Sequence, residues 1–164
     1  MRLIVMLLSF VVSTQLWAGE LSKPAGKALL TLSGNIENTN EDEKAVFDIA
    51  NLEKLGMVSF QTTSPWYNGR TTFTGIPLQK LMDYVGAKGS VVKVTALNDY
   101  TTVIPLSDIK KYNVILTVKI NEKYIRVRDK GPLFIVYPYD SMPELNNQVF
   151  YARSAWQVSR MNIE

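Results

Sequence analysis

The chain has 164 residues, a formal net charge of +3, and neither cysteine nor histidine. That length suits one domain with a sizeable core, and the charge is too mild to mark nucleic acid or an anionic membrane surface as a partner. The missing residue types exclude disulfides, thiolate or imidazole metal centres, and Ser-His or Cys-His nucleophilic catalysis, leaving acid–base work to carboxylates, Lys, Tyr or a bound cofactor.

Met1-Arg2 is a basic start, Leu3 to Val12 is apolar, and Ser13 to Ala18 is a polar-to-small exit. This pattern predicts a secretory signal peptide over 1–18, cleaved after Ala18, and hence an exported protein. The apolar run is too short to span a bilayer comfortably and no later stretch approaches a span, so no stable membrane insertion is expected. Residues 19–27, with Pro24 and Gly26, read as a mobile leader, and 28–164 as the single folded domain.

Within that domain, Leu30 and Leu32 alternate with Thr31 and Ser33, the mark of a half-buried strand. Ala45 to Ile49 reads as a second strand. Asp48 or Asn51 then caps a short helix that Gly56 ends. Met57 to Thr62 alternates again, and Thr63 to Arg70 reads as a loop carrying adjacent aromatics, Trp66 and Tyr67. Leu78, Leu81, Met82 and Val85 fall at helical spacing with Gly86 at the stop.

Val92, Val94 and Ala96 predict one face of a strand, interrupted at Asn98-Asp99-Tyr100 and resumed over Thr101 to Pro105. Ser107-Asp108 begins a short helical turn. Val114 to Ile120 and Tyr124 to Val127 read as a hairpin through Asn121 to Lys123. Leu133 to Val136 is apolar without alternation, which predicts a strand covered on both faces. An irregular loop follows over Tyr139 to Asn147, and a last strand runs through Ile163. Many short strands with two or three short helices make a single β-rich, mixed-sheet α+β domain.

Four polar-aromatic segments interrupt the apolar strands: Ser64 to Arg70, Asn98 to Tyr100, Arg128 to Pro132, and Arg153 to Trp156. Alone, each has an ordinary explanation: a common turn pair at Asn98-Asp99, a core cover at Trp66, a surface charge at Arg153. Strand-end loops are also where ligands usually bind.

The ordered set Thr62-Thr63-Ser64-Pro65-Trp66, Phe73-Thr74-Gly75-Ile76-Pro77-Leu78, Ala96 to Tyr100, Ile104-Pro105, Arg128 to Leu133, and Arg153 to Gln157 resembles the oxidoreductase molybdopterin-binding domain of the sulfite-oxidase fold. The resemblance covers nearly all of the predicted domain. It implies that fold, and a pterin as ligand. Molybdenum enzymes of the family ligate their metal through a cysteine around the Thr62 to Ser64 segment. With no cysteine here, the resemblance implies pterin binding without molybdenum.

The closer resemblance is to short, cysteine-free periplasmic pterin-binding proteins that act as ligand sensors. These serve membrane-bound enzymes that make or degrade cyclic di-GMP. Carried over, the likeness implies a periplasmic, non-catalytic sensor of a tetrahydropterin-like ligand, partnered with the periplasmic part of such an enzyme. Asn98, Asp99, Tyr100, Arg128, Asp129, Lys130, Arg153, Trp66, Tyr67 and Trp156 are its candidate pterin-binding residues. A carboxylate such as Asp99 or Asp129 pairs with the N–H groups of the pterin's guanine-like edge, and Trp66, Tyr67 or Trp156 stacks on its face. Arg128, Lys130 or Arg153 holds the carbonyl oxygen or an anionic tail. Two other readings are a molybdopterin-dependent oxidoreductase without a protein cysteine ligand, and a β-rich interaction module that has lost its ligand.

Overall fold

The computed structural model describes residues 21–164. The predicted signal peptide, 1–18, lies outside the described residues. In chain order the elements are β1 (Leu30–Gly34), β2 (Ala45–Phe47), α1 (Ile49–Lys54), β3 (Val58–Ser64), β4 (Tyr67–Pro77), α2 (Leu78–Val85) and β5 (Val91–Ala96). They continue with β6 (Thr101–Pro105), α3 (Leu106–Lys111), β7 (Ile115–Ile120), β8 (Lys123–Tyr124), β9 (Phe134–Val136), α4 (Gln148–Arg153) and β10 (Val158–Ile163).

The strands form two five-stranded sheets. One has the order β2-β1-β10-β5-β6, with β1 parallel to β10 and its other neighbours antiparallel. In the other, β3-β4-β7 is continued by β8 and β9, which share the far edge of β7. The result is the predicted β-rich α+β domain with short helices. Leu30, Leu32 and Val94 from one sheet, Ile76 and Phe134 from the other, and Leu81 of α2 belong to one buried cluster. Each fully buried aliphatic side chain there contributes about 2 kcal/mol.

Local chemistry explains most boundaries. Asp48 caps α1 by accepting the Asn51 N–H at 2.8 Å, and its other oxygen accepts Ala25 N–H at 2.9 Å and Gly26 N–H at 2.7 Å. The Asn51 and Gly26 donors hold its carboxyl below the usual carboxylate range. Residues 21–27, expected as a mobile leader, are therefore tied down: Leu21 is buried, and Ser22 O accepts the side-chain amides of Asn40 and Asn51. α2 buries Leu78, Leu81, Met82 and Val85 and stops at Gly86, in the left-handed conformation.

Three expectations are corrected. Thr63 to Arg70 is not a loop but the end of a hairpin, turning at Pro65-Trp66 with Ser64 opposite Tyr67. β8 keeps only Lys123–Tyr124, because Ile125 turns into the core and β9 takes the rest of the β7 edge. The segment Tyr139 to Asn147, expected as an irregular loop, forms two 3-10 turns that bury Tyr139 and Leu145, and α4 follows it. Asn147 caps α4 by accepting the Val149 N–H at 2.8 Å.

Candidate functional site

The β3–β4 turn, the β5–β6 turn and the chain through and after α4 enclose a cavity of about 390 Å³. Pro65 and Trp66 come from the first, Asn98 and Tyr100 from the second, and Gln148, Tyr151 and Ser154 to Trp156 from the third. Trp66 is fixed by edge contacts, its ring 5.2 Å from Phe134 at 80° and 5.9 Å from Trp156 at 88°. Together with Tyr139 and Tyr151, whose rings lie 6.2 and 6.0 Å away, this packing holds the indole in place as one wall of the cavity.

The other walls are braced in turn. Tyr100 donates its hydroxyl to Ala152 O at 3.0 Å, joining the β5–β6 turn to α4. Asn98 Oδ1 accepts the Tyr100 N–H at 3.2 Å. Below the cavity the Ser154 hydroxyl bonds Tyr139 Oη at 2.5 Å and donates to Phe150 O at 2.8 Å. Burial pushes the Tyr139 phenol well above its ordinary range.

Arg153 lies on the core side of α4. Its guanidinium meets Asp108 Oδ2 at 2.6 Å, and Tyr137 donates to the same oxygen at 3.1 Å. Burial, then the Asp108 charge, raises the Tyr137 phenol far above its ordinary value. The group anchors α4 to α3 and to the segment after β9.

At the far end of β3, Asp140 accepts the Thr63 N–H at 2.9 Å and the Thr63 hydroxyl at 2.5 Å, and pairs with Arg70 at 2.7 Å. The Thr63 hydroxyl is the main cause of its lowered carboxyl pKa.

A second, open groove of about 510 Å³ runs along Tyr67, Ile120, Lys123, Tyr124, Arg126 and Asp129. Its carboxylate is already engaged, since Arg126 Nε donates to Asp129 Oδ2 at 2.7 Å. Burial, then the Asp129 charge, raises the Tyr67 phenol. Lys130 serves both sites, its Nζ 5.3 Å from the Tyr67 ring and 5.6 Å from the Trp156 ring. Its carbonyl accepts the Gln157 N–H at 3.0 Å, and Gln157 Nε2 donates to Val127 O at 2.8 Å, so the two segments hold each other.

The structure thus brings Trp66, Asn98, Tyr100 and Trp156 together around the cavity and sets Lys130 beside it. Tyr67 and Asp129 face the second groove. Asp99, whose side chain is 85% exposed, pairs with Arg160 at 3.0 Å, Arg128 is 72% exposed, and Arg153 points to Asp108. Sequence reasoning missed Gln148, Tyr151 and Ser154; the Asn147 cap before an apolar-aromatic run was the available signal.

The donor set decides which ligand fits. Asn98 and Gln148 each offer an amide able to donate and accept, beside two indoles, which suits a flat heterocycle with a hydrogen-bonding edge. A metal-bearing molybdopterin fits poorly. The sequence has no thiolate to ligate the metal, and among the described residues the cavity lining carries no Lys or Arg for a phosphate, Lys130 standing beside it over the Trp156 ring.

The family model for the oxidoreductase molybdopterin binding domain matches residues 40–140. The sulfane dehydrogenase SoxCD from Paracoccus pantotrophus is structurally similar, with a TM-score of 0.62 at 17% identity over 82% of this chain. This chain spans 37% of that one, and at such identity the likeness concerns the fold. No curated protein sequence matches. The cavity walls from Gln148 to Trp156 lie beyond the matched residues.

Proposed function

Because the chain belongs to the oxidoreductase molybdopterin-binding domain family, we propose that its cavity holds a pterin ring and that the protein is a non-catalytic ligand sensor. The observation that carries this is the aromatic-walled cavity of about 390 Å³, furnished with neutral amides, in a chain without any thiolate. Trp66 and Trp156 supply faces for the flat bicycle. Asn98 and Gln148 address its amino-pyrimidinone edge, while Asp99 pairs with Arg160 and Asp129 with Arg126. Lys130 stands at the mouth for a carbonyl oxygen or a tail.

The signal-like N-terminus supports a periplasmic location. The resemblance to short cysteine-free sensors supports, as partner, the periplasmic part of a membrane-bound cyclic di-GMP enzyme. Signalling then requires that pterin change the affinity for that partner. The test is anaerobic purification of the exported protein, with pterin fluorescence and elemental molybdenum measured on one denatured sample. Pterin without molybdenum is expected. Equimolar molybdenum would make the chain an oxidoreductase, and a sample with neither would make it an interaction module.

A further inference from the structure

Most strand edges are blunted. β2 is three residues long, β8 is two with a lysine, β6 ends in Pro105 and packs against α4, and β9 is covered where Ile135 N–H donates to Ala155 O. β3 differs: it is the outer strand of its sheet over seven residues, with neither a charged side chain nor a proline. Its upper half is closed by Asp140 on the Thr63 N–H and by Arg70 on Gln61 O. Strand alternation turns the main-chain groups of Ser59 toward the same edge as those of Gln61, while those of Val58 and Phe60 face β4, and the Ser59 N–H and C=O have no hydrogen-bond partner at that edge among the described residues.

Beside this open half lies a groove of about 400 Å³ walled by Val58, Phe60, Pro77, Ile109, Lys110 and Asn113. Val58 is 42% exposed. Lys110 is the single charged side chain on the wall and has no ion-pair partner among the described residues. Gln79, also on the wall, has an amide oxygen without a donor.

We propose that the open edge of β3 and this groove take an extended, acidic segment of a partner protein as an added strand. Unpaired main-chain donors and acceptors are matched by another strand, and the apolar wall accepts one aliphatic side chain between Val58 and Ile109. The lone cation selects a carboxylate. The groove is separate from the pterin cavity, and its use does not depend on what that cavity holds.

The probe is a fluorescein-labelled peptide, Ser-Val-Thr-Val-Glu, compared with a Lys-ended form and a form with proline at its centre. Anisotropy measures affinity, and hydrogen exchange of the full protein locates the contact. Binding that slows exchange at Ser59, weakens about tenfold with the Lys-ended peptide or in Lys110→Glu, and vanishes with the proline form is expected. Lys110 is exposed, so the variant should fold, and circular dichroism checks this. No binding below about 1 mM, or binding indifferent to proline and to charge reversal, overturns the proposal. So does sedimentation showing that the peptide-free edge already pairs two copies of the chain.

Discussion

The cavity under Trp66 and the groove along Tyr124 are of similar size, about 390 and 510 Å³, but have opposite chemistry. The cavity is walled by indoles held edge-on and by neutral amides with hydrogen-bonding capacity to spare. The groove holds Lys123, Arg126 and Asp129, and its carboxylate is already bonded to its own arginine. A charge satisfied by a neighbour three residues away offers a ligand little. An amide with an N–H group to spare against an aromatic wall offers both orientation and contact.

Substitutions can break that contrast. Trp66→Ala should weaken pterin binding about a hundredfold, roughly 2.7 kcal/mol, by removing a stacking face and its packing, while Tyr124→Ala leaves binding unchanged. Titration calorimetry, with circular dichroism as the folding control, reads both. Asp108→Ala should cost about 2 kcal/mol in urea unfolding, since it strands the largely buried Arg153 and loosens α4. Asn98→Ala should cost about tenfold in affinity as one edge hydrogen bond is lost. Asp129→Ala should change affinity by less than about twofold, because it touches only the groove and its exposed ion pair.

Acid and alkali sharpen the comparison from the stability side. The folded carboxyls of Asp48 and Asp140 lie below their ordinary value of 3.8, so their contribution is complete above that pH and is lost as pH falls below it through the lower folded values. The phenols beneath the cavity, Tyr137 and Tyr139, are raised above 10.0. Their contribution is complete below pH 10.0 and declines above it as the unfolded chain ionises. Urea midpoints against pH should therefore be flat between about 5 and 9 and fall on both sides, with Asp140→Asn reducing the acid-side fall.

β1, β5, β9 and α2 were legible because the positions they bury follow simple periods: alternation in β1 and β5, continuous burial in β9, helical spacing in α2. The β3–β4 turn was not, since Asn68-Gly69 is the stronger local turn signal. A turn there would pair Phe60 with Pro77, whereas turning at Pro65-Trp66 sets Phe60 against Phe73, with ring centroids 6.4 Å apart. Packing across the sheet outweighed the local preference. Within the site, Trp66, Asn98, Tyr100 and Trp156 were legible as aromatic or polar interruptions of apolar strands. The pairing of Asp99 with Arg160 was not, because 61 residues separate them and only the fold brings them together.

The parallel pairing of β1 with β10 joins the earliest strand of its sheet to the latest. On one side of β10 lie β1 and β2, and on the other β5 and β6, so β10 is the seam between two strand pairs. During synthesis those pairs can form separately, but they cannot become one sheet until the last strand has emerged. The closing contacts span nearly the whole domain, which makes assembly slow and late. Without β10 no strand among the described residues bridges β1 to β5, and the two strand pairs keep their shared core side chains and the Lys88 N–H to Asn35 O bond in common.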